Sequence, residues 1–349
     1  MQLKPLAALS LAGVVYGQSL TDLISQNQDL SQLGTLLGQY PDLVQTLGGL
    51  SNITLLAPNN AALSALLSDS SVTAMVSADP GLVPAILTYH VLNGTIRSTD
   101  IQDTPSFPKT LLTNSTYTNV TGGQVIKAET EDDGVVFTSG LLRQSRVVTA
   151  DVTFTGGVVH VIDSVLTIPA SDSATAVAAN LTALAGALTA ADLVNTVDSA
   201  QDVTIFAPSN NAFAAIQNLA ANLSTEQLSS ILTYHVVQGT VGYSSGLTSG
   251  AQLETLNGAQ VTITIDDGGV FVNSAEVQIA DVLVSNGVVH VIDNVLNPDN
   301  STAGPDVTTP GGPGANATST GPVEAGVPMQ TAAVGAAALF GGAAVLAHW

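Results

Sequence analysis

The chain has 349 residues, 27 acidic against 6 basic, a net charge of −21 at pH 7 and no cysteine. Such a field repels nucleic acid and anionic lipid, and no Lys/Arg-rich patch exists to overcome it. The missing cysteines exclude a disulfide framework and a thiol nucleophile, so each folded unit has to rely on its apolar core.

In chain order, residues 1–17 carry Lys4, an apolar run from Leu6 to Val15 and a small residue at Gly17, the pattern of a cleaved secretory signal peptide. From Leu20 to Leu47 the leucines recur at three- and four-residue steps, which predicts helices with one apolar face, broken near Pro41. Ile53 to Ala57 reads as a short buried strand stopped by Pro58, and Asn59-Asn60 can cap the helix that follows. Toward the end of this unit the pattern turns to strands. Asp132-Asp133-Gly134 marks a turn, Val135-Val136-Phe137 and Val147 to Val152 are strands, and Gly157 to Asp163 is expected to close the sheet.

The same order then repeats. Thr54 to Ala61 returns as Thr204 to Ala212, Thr88-Tyr89-His90-Val91 as Thr233 to Val236, and Gly157 to Asp163 as Gly287 to Asp293. The turn Asp266-Asp267-Gly268-Gly269 sits between the strands Val261–Ile265 and Val270–Val272, and Val277 to Val284 adds another. Helices first and strands afterwards give an α+β class in two tandem domains, 18–167 and 168–298, each with a helical part packed on a small sheet. The offset between copies falls from 150 to 145 to 130 residues, so the first copy carries five extra residues near 76–81 and fifteen within 99–121. Both stretches read as surface loops that tolerate insertion. Domains of this size bury roughly 70% of their unfolded-chain surface.

Residues 299–330 change to Pro, Gly, Ser, Thr and Asn, an unfolded spacer. Residues 331–349 form a weakly apolar tail with no basic cluster after it. Small site, polar spacer and hydrophobic tail predict attachment to a GPI lipid at Ser319 or Asn316 with removal of the tail; a plain transmembrane anchor is the alternative. Eight Asn-x-Ser/Thr sequons, at Asn52, Asn93, Asn114, Asn119, Asn180, Asn222, Asn300 and Asn316, imply a glycoprotein.

The Ala-Pro-Ser/Asn-Asn phrase, the Tyr-His pair and the Val-Val-His-Val-Ile-Asp ending, each present twice, together resemble the fasciclin domain over about residues 18–298. The resemblance implies an extracellular adhesion module, often tandem, glycosylated and GPI-anchored, without catalytic machinery or cofactor. It also implies a surface location, and as partners a cell-surface or matrix protein or a glycan. In animal members the Tyr-His region has been linked to integrin binding, which carries over as position alone to Tyr89-His90 and Tyr234-His235. The first copy has Leu56 where the phrase usually has Phe.

Four of the five histidines lie in these repeated phrases, and histidine titrates near neutrality. His160 and His290 sit among valines and isoleucines, which points to hydrogen-bonded structural groups; Asp163 and Asp293 are expected to cap the following turn. No nucleophile signature and no His-x-x-x-His pattern accompanies them, so neither a catalytic triad nor a metal site is assigned. The aspartate pairs at the two turns lack the ligand spacing of a calcium loop. Of the Tyr-His pairs, the second is the better candidate contact, because the Asn93 sequon places a glycan beside the first. A structural wall or surface glycoprotein without a specific ligand is the alternative function.

Overall fold

In a computed structural model the described residues are 17–300, apart from 133 and 221. The expected leader, GPI site and tail therefore lie outside the described residues, Gly17 excepted.

The first copy begins with three short helices, α1 (Leu20–Gln26), α2 (Ser31–Leu37) and α3 (Pro41–Gly49). Ser19 caps α1 by accepting from the Asp22 N–H at 3.1 Å, and Pro41 opens α3, where its missing N–H costs nothing. Strand β1 (Ile53–Pro58), helices α4 (Asn60–Leu67), α5 (Ser70–Ala78) and α6 (Leu82–Tyr89) and strand β2 (Val91–Asn93) follow. The unit ends in β3 (Lys127–Glu131), β4 (Gly134–Thr138), β5 (Gln144–Phe154) and β6 (Gly157–Ile162).

The second copy repeats this plan. It runs α7 (Asp172–Ala178), α8 (Thr182–Ala190), α9 (Val194–Ser199), β7 (Val203–Pro208), α10 (Asn210–Ala215), α11 (Gln217–Ala220), α12 (Thr225–Tyr234) and β8 (Val236–Gln238). Strands β9 (Gln252–Glu254), β10 (Gln260–Asp266), β11 (Gly269–Val272), β12 (Ala275–Val284) and β13 (Gly287–Ile292) complete it.

The sheet orders are β2-β1-β6-β5-β4-β3 and β8-β7-β13-β12-β11-β10-β9. The His-Val-Ile-Asp strand was expected to close each sheet, but it lies inside, parallel to β1 or β7 and antiparallel to β5 or β12. A strand covered on both faces reads as a continuous apolar run. In β1, Leu55 and Ala57 face the helical core with Leu23, Leu33 and Leu47, whereas Leu56 faces a second core with Tyr89, Phe137 and Ile162. Domain 2 divides likewise between Ile205 and Phe206. Each fully buried Leu or Val contributes about 1.5–3 kcal/mol.

The glycine that opens each Gly-Val-Val-His phrase is set by this parallel contact. A Cβ on Gly157 would lie 1.8 Å from the Ile53 carbonyl oxygen, and one on Gly287 would lie 1.9 Å from that of Val203. Only glycine fits.

The fifteen-residue insertion in the first copy is not the surface loop its composition suggests. Ile101, Leu112, Thr118 and Val120 in and around it are buried. Its far end docks on domain 2: the Asn119 N–H donates to the Ser285 carbonyl at 2.7 Å, and the Thr121 N–H and hydroxyl both donate to the Asp202 carboxylate. Phe107 stacks on Tyr243 with ring centroids 4.2 Å apart, and the buried Gln124 amide donates to the Val284 carbonyl. Thr and Asn supply hydrogen bonds here where the sequence suggested solvation.

Candidate functional site

Tyr89 ends α6 and His90 caps it before β2, and Tyr234 and His235 do the same between α12 and β8. The helix-to-strand junction expected from sequence is therefore present, but all four side chains face inward. Tyr89 and Tyr234 are fully buried and the two imidazoles nearly so, at 3% and 2% exposure. The expectation that Tyr234-His235 presents a partner contact, with Tyr89-His90 as the masked copy, is corrected here. Neither pair offers a side chain to a partner, because each ring is used inside the domain.

The His90 Nδ1–H donates to the Ile86 carbonyl at 2.7 Å, and Nε2 accepts the Leu166 N–H at 2.9 Å. His235 bonds to the Ile231 carbonyl at 2.8 Å and accepts the Leu296 N–H at 2.9 Å. One imidazole thus ties a helix end to the chain leaving its domain. Burial holds both imidazoles neutral, lowering each pKa to about 4 against the weaker pull of the carbonyl bond. The tyrosine hydroxyls donate to the Val125 and Gln260 carbonyls at 3.0 and 2.9 Å, and burial pushes both phenols upward.

His160 and His290 form a second matched pair. Their Nε2 atoms meet the Ile96 and Gly242 carbonyls at 2.9 and 2.8 Å, so Nδ1 is left to accept the N–H of Asp151 or Asp281. Those aspartates sit at bulges of β5 and β12 with φ of 58° and 62°, and each carboxylate accepts from the backbone and hydroxyl of Ser98 or Ser244. Burial lowers the His290 pKa. Asp163 and Asp293 do not cap the following turn. They accept the Arg146 and Glu276 N–H groups at 2.8 Å and so fasten the start of β5 and β12.

Every repeated histidine is therefore a satisfied neutral ring with one donor and one acceptor in use. Such a ring has no free lone pair for proton transfer or metal binding. Among the described residues no group of three His, Asp or Glu side chains is placed to hold a metal ion. At the second turn, Asp266 accepts the Gly268 N–H at 2.8 Å, an ordinary turn closure.

Among the sequons, Asn52, Asn93, Asn114, Asn180 and Asn222 are exposed, and Asn119 and Asn300 are half-buried. Asn52 and Asn93 are neighbours, since the Gly94 N–H donates to the Asn52 carbonyl beside the Ile53–Asn93 register pair. Asn119 lies at the contact between the two domains. Asn316 and Ser319 fall outside the described residues.

One ionisable residue escaped the sequence reading. Asp172, first in α7 after the Ser171 cap, is only 5% exposed, and neither of its oxygens receives a well-formed hydrogen bond. Burial raises its pKa to about 7; the nearby Asp198 charge adds to the rise and the Asn286 side chain only partly offsets it. An acidic residue beside a serine cap looks like ordinary first-turn chemistry, so sequence gave no sign of this.

The fasciclin domain model matches residues 28–169 and 179–298. A fasciclin-like arabinogalactan protein of Arthroderma benhamiae is 36% identical over 328 residues, covering 93% of this chain and 78% of the relative. Another, from Cercospora beticola, is 33% identical over 305 residues, covering 84% and 80%. Among solved structures, a domain pair from the insect cell adhesion molecule fasciclin I aligns with 79% of this chain and 99% of its own, at 18% identity and a TM-score of 0.37. On the family match and these relatives, the chain belongs to the fasciclin domain family.

Proposed function

We propose that this chain is an extracellular adhesion or interaction glycoprotein, held at the cell surface or wall, that binds a protein or glycan partner through its fasciclin domains. The observation that carries the reading is the match of both copies to the fasciclin domain, in relatives named as arabinogalactan proteins. The five exposed sequons and the signal-like first 17 residues support export. The spacer and apolar tail support a GPI lipid as the membrane tether, through Ser319 or Asn316. A catalytic role finds no support in the histidines, whose hydrogen-bonding capacity is spent internally.

The partner surface lies on the outside of the domains and not at the Tyr-His pairs. Residues 168–298 contain no basic side chain, and the exposed Asp192, Glu226, Glu254, Asp266 and Asp267 give domain 2 an acidic exterior. A basic partner meeting it would associate faster at low salt.

The test is adhesion of beads coated with the purified chain to immobilised matrix proteins and polysaccharides, before and after enzymatic removal of N-glycans. Saturable, salt-sensitive binding that survives deglycosylation is expected. Its complete absence would leave the second reading, a structural glycoprotein whose domains act as spacers, which the interior position of both Tyr-His pairs favours.

A further inference from the structure

The two domains enclose matched cavities of very different size. Each lies between the helices and the sheet, beside the histidine that caps the last helix before the second strand. In domain 2 the space is about 40 Å³. In domain 1 it is about 510 Å³, within the range of sites that enclose whole small molecules.

One substitution between the copies narrows the space on the helical side in domain 2. Phe213, packed on the helical core of domain 2, stands at the position of Leu63 in the domain 1 wall. The covering element differs too. Domain 1 has the nine-residue α5, whereas domain 2 has the four-residue α11 in the same part of the fold. Helix α5 buries none of its residues, and its Val72 and Val76 line the cavity. The cavity reaches the surface at Leu67, which is 67% exposed.

The lining is mainly Leu and Val, and no charged side chain contributes to it. Tyr40 is its only phenyl-type ring, so it is not built to stack a flat aromatic guest. Gln32, Gln39 and Thr73 supply neutral hydrogen-bonding groups. An anionic head would find no cation in the wall and a chain of net charge −21 around it.

We propose that domain 1 binds a single neutral aliphatic lipid, an alkyl or acyl chain with an uncharged hydroxyl or ester head, under α5, and that domain 2 is its filled, non-binding counterpart. This site is independent of the adhesive reading, since its ligand enters the interior of one domain.

The test uses the full secreted glycoprotein and the neutral dye Nile red. One saturable site per chain is expected, emptied by 1-dodecanol at least tenfold more effectively than by dodecanoate at pH 8. The variant Leu63→Phe, which installs the domain 2 side chain in the cavity wall, is expected to weaken dye binding more than tenfold while thermal unfolding stays cooperative. If that variant does not fold, Val76→Gln on α5 serves in its place, with an expected loss of at least fivefold. Ile279→Gln, at an exposed apolar position of domain 2, should leave binding unchanged. Unsaturable dye uptake, equal competition by dodecanoate, or a folded cavity variant with undiminished affinity would overturn the proposal.

Discussion

Directly after the serine that caps its first helix, domain 1 buries Leu20 and domain 2 buries Asp172, each 5% exposed. At the centre of the first strand the same two domains place Leu56 and Phe206, both fully buried. Around these differences the frame is unchanged: the same strand order through the parallel pair, the same paired histidines, the same glycine at the close approach. Duplication has preserved the backbone's internal fasteners and let the cavity-lining side chains diverge. Stability devices and candidate specificity are thus carried by separate residues.

The largest effect tests the shared frame. Gly157→Ala and Gly287→Ala each drive a methyl group into a backbone carbonyl that cannot move aside. Each is expected to cost more than about 4 kcal/mol, at the severe end for single substitutions. Secretion yield and circular dichroism would read this out, and tolerance of alanine in one domain alone would show that the frames differ.

The next effect tests the contrast. Asp172 has a pKa raised from 3.8 to about 7, so the folded state favours its neutral form. Its contribution is fully present below pH 3.8 and is lost as the pH rises through 7, a span worth roughly 4 kcal/mol at most. Asp172→Leu should therefore stabilise domain 2 at pH 8 and matter little near pH 4, as urea unfolding at both pH values would reveal. Leu20→Asp should transfer the same liability to domain 1.

Acid acts on the capping histidines of both domains alike. His90 and His235 fall from 6.5 to about 4 on folding, so their contribution is complete above pH 6.5 and fades as the pH drops through 4. Each accounts for on the order of 3 kcal/mol. Domain 1 should gain stability from pH 4 to 6.5 and level off above that in calorimetry, whereas in domain 2 the opposing loss at Asp172 over the same window should flatten the rise. Identical profiles would remove Asp172 from the account.

The smallest effect concerns the join. Asp202→Ala removes the acceptor for both Thr121 donors and should cost about 1–2 kcal/mol of coupling. Two separated calorimetric transitions in place of one would measure it.

Much of this was legible in the chain. The repeated phrases marked the duplication, leucine spacing found the first helices, and alternation found the β10–β11 hairpin. Burial of His160 and His290 also followed from their valine neighbours, since a ring inside such a run has no route to water. Strand order did not follow, because Gly157–Ile162 looks the same at an edge or at the centre. The 99–121 insertion misled because Thr and Asn bond as readily to a neighbouring domain as to water. The Tyr-His pairs misled because aromatic and titratable residues suggest contact, and only the fold shows their hydroxyls and ring nitrogens already occupied. Asp172 stayed hidden because nothing local tells a solvated first-turn acid from a buried one.

The bonds from Leu166 to His90 and from Leu296 to His235 have a mechanical meaning. Each fastens the chain where it leaves a domain to a ring rooted in that domain's interior. Tension applied along the exit of either domain loads this buckle before it peels β6 or β13 from its parallel neighbour. The ring accepts that bond only while unprotonated, so a domain is expected to give way at a lower force once the pH falls through about 4. A chain drawn taut in an acidic medium would open at its histidines first.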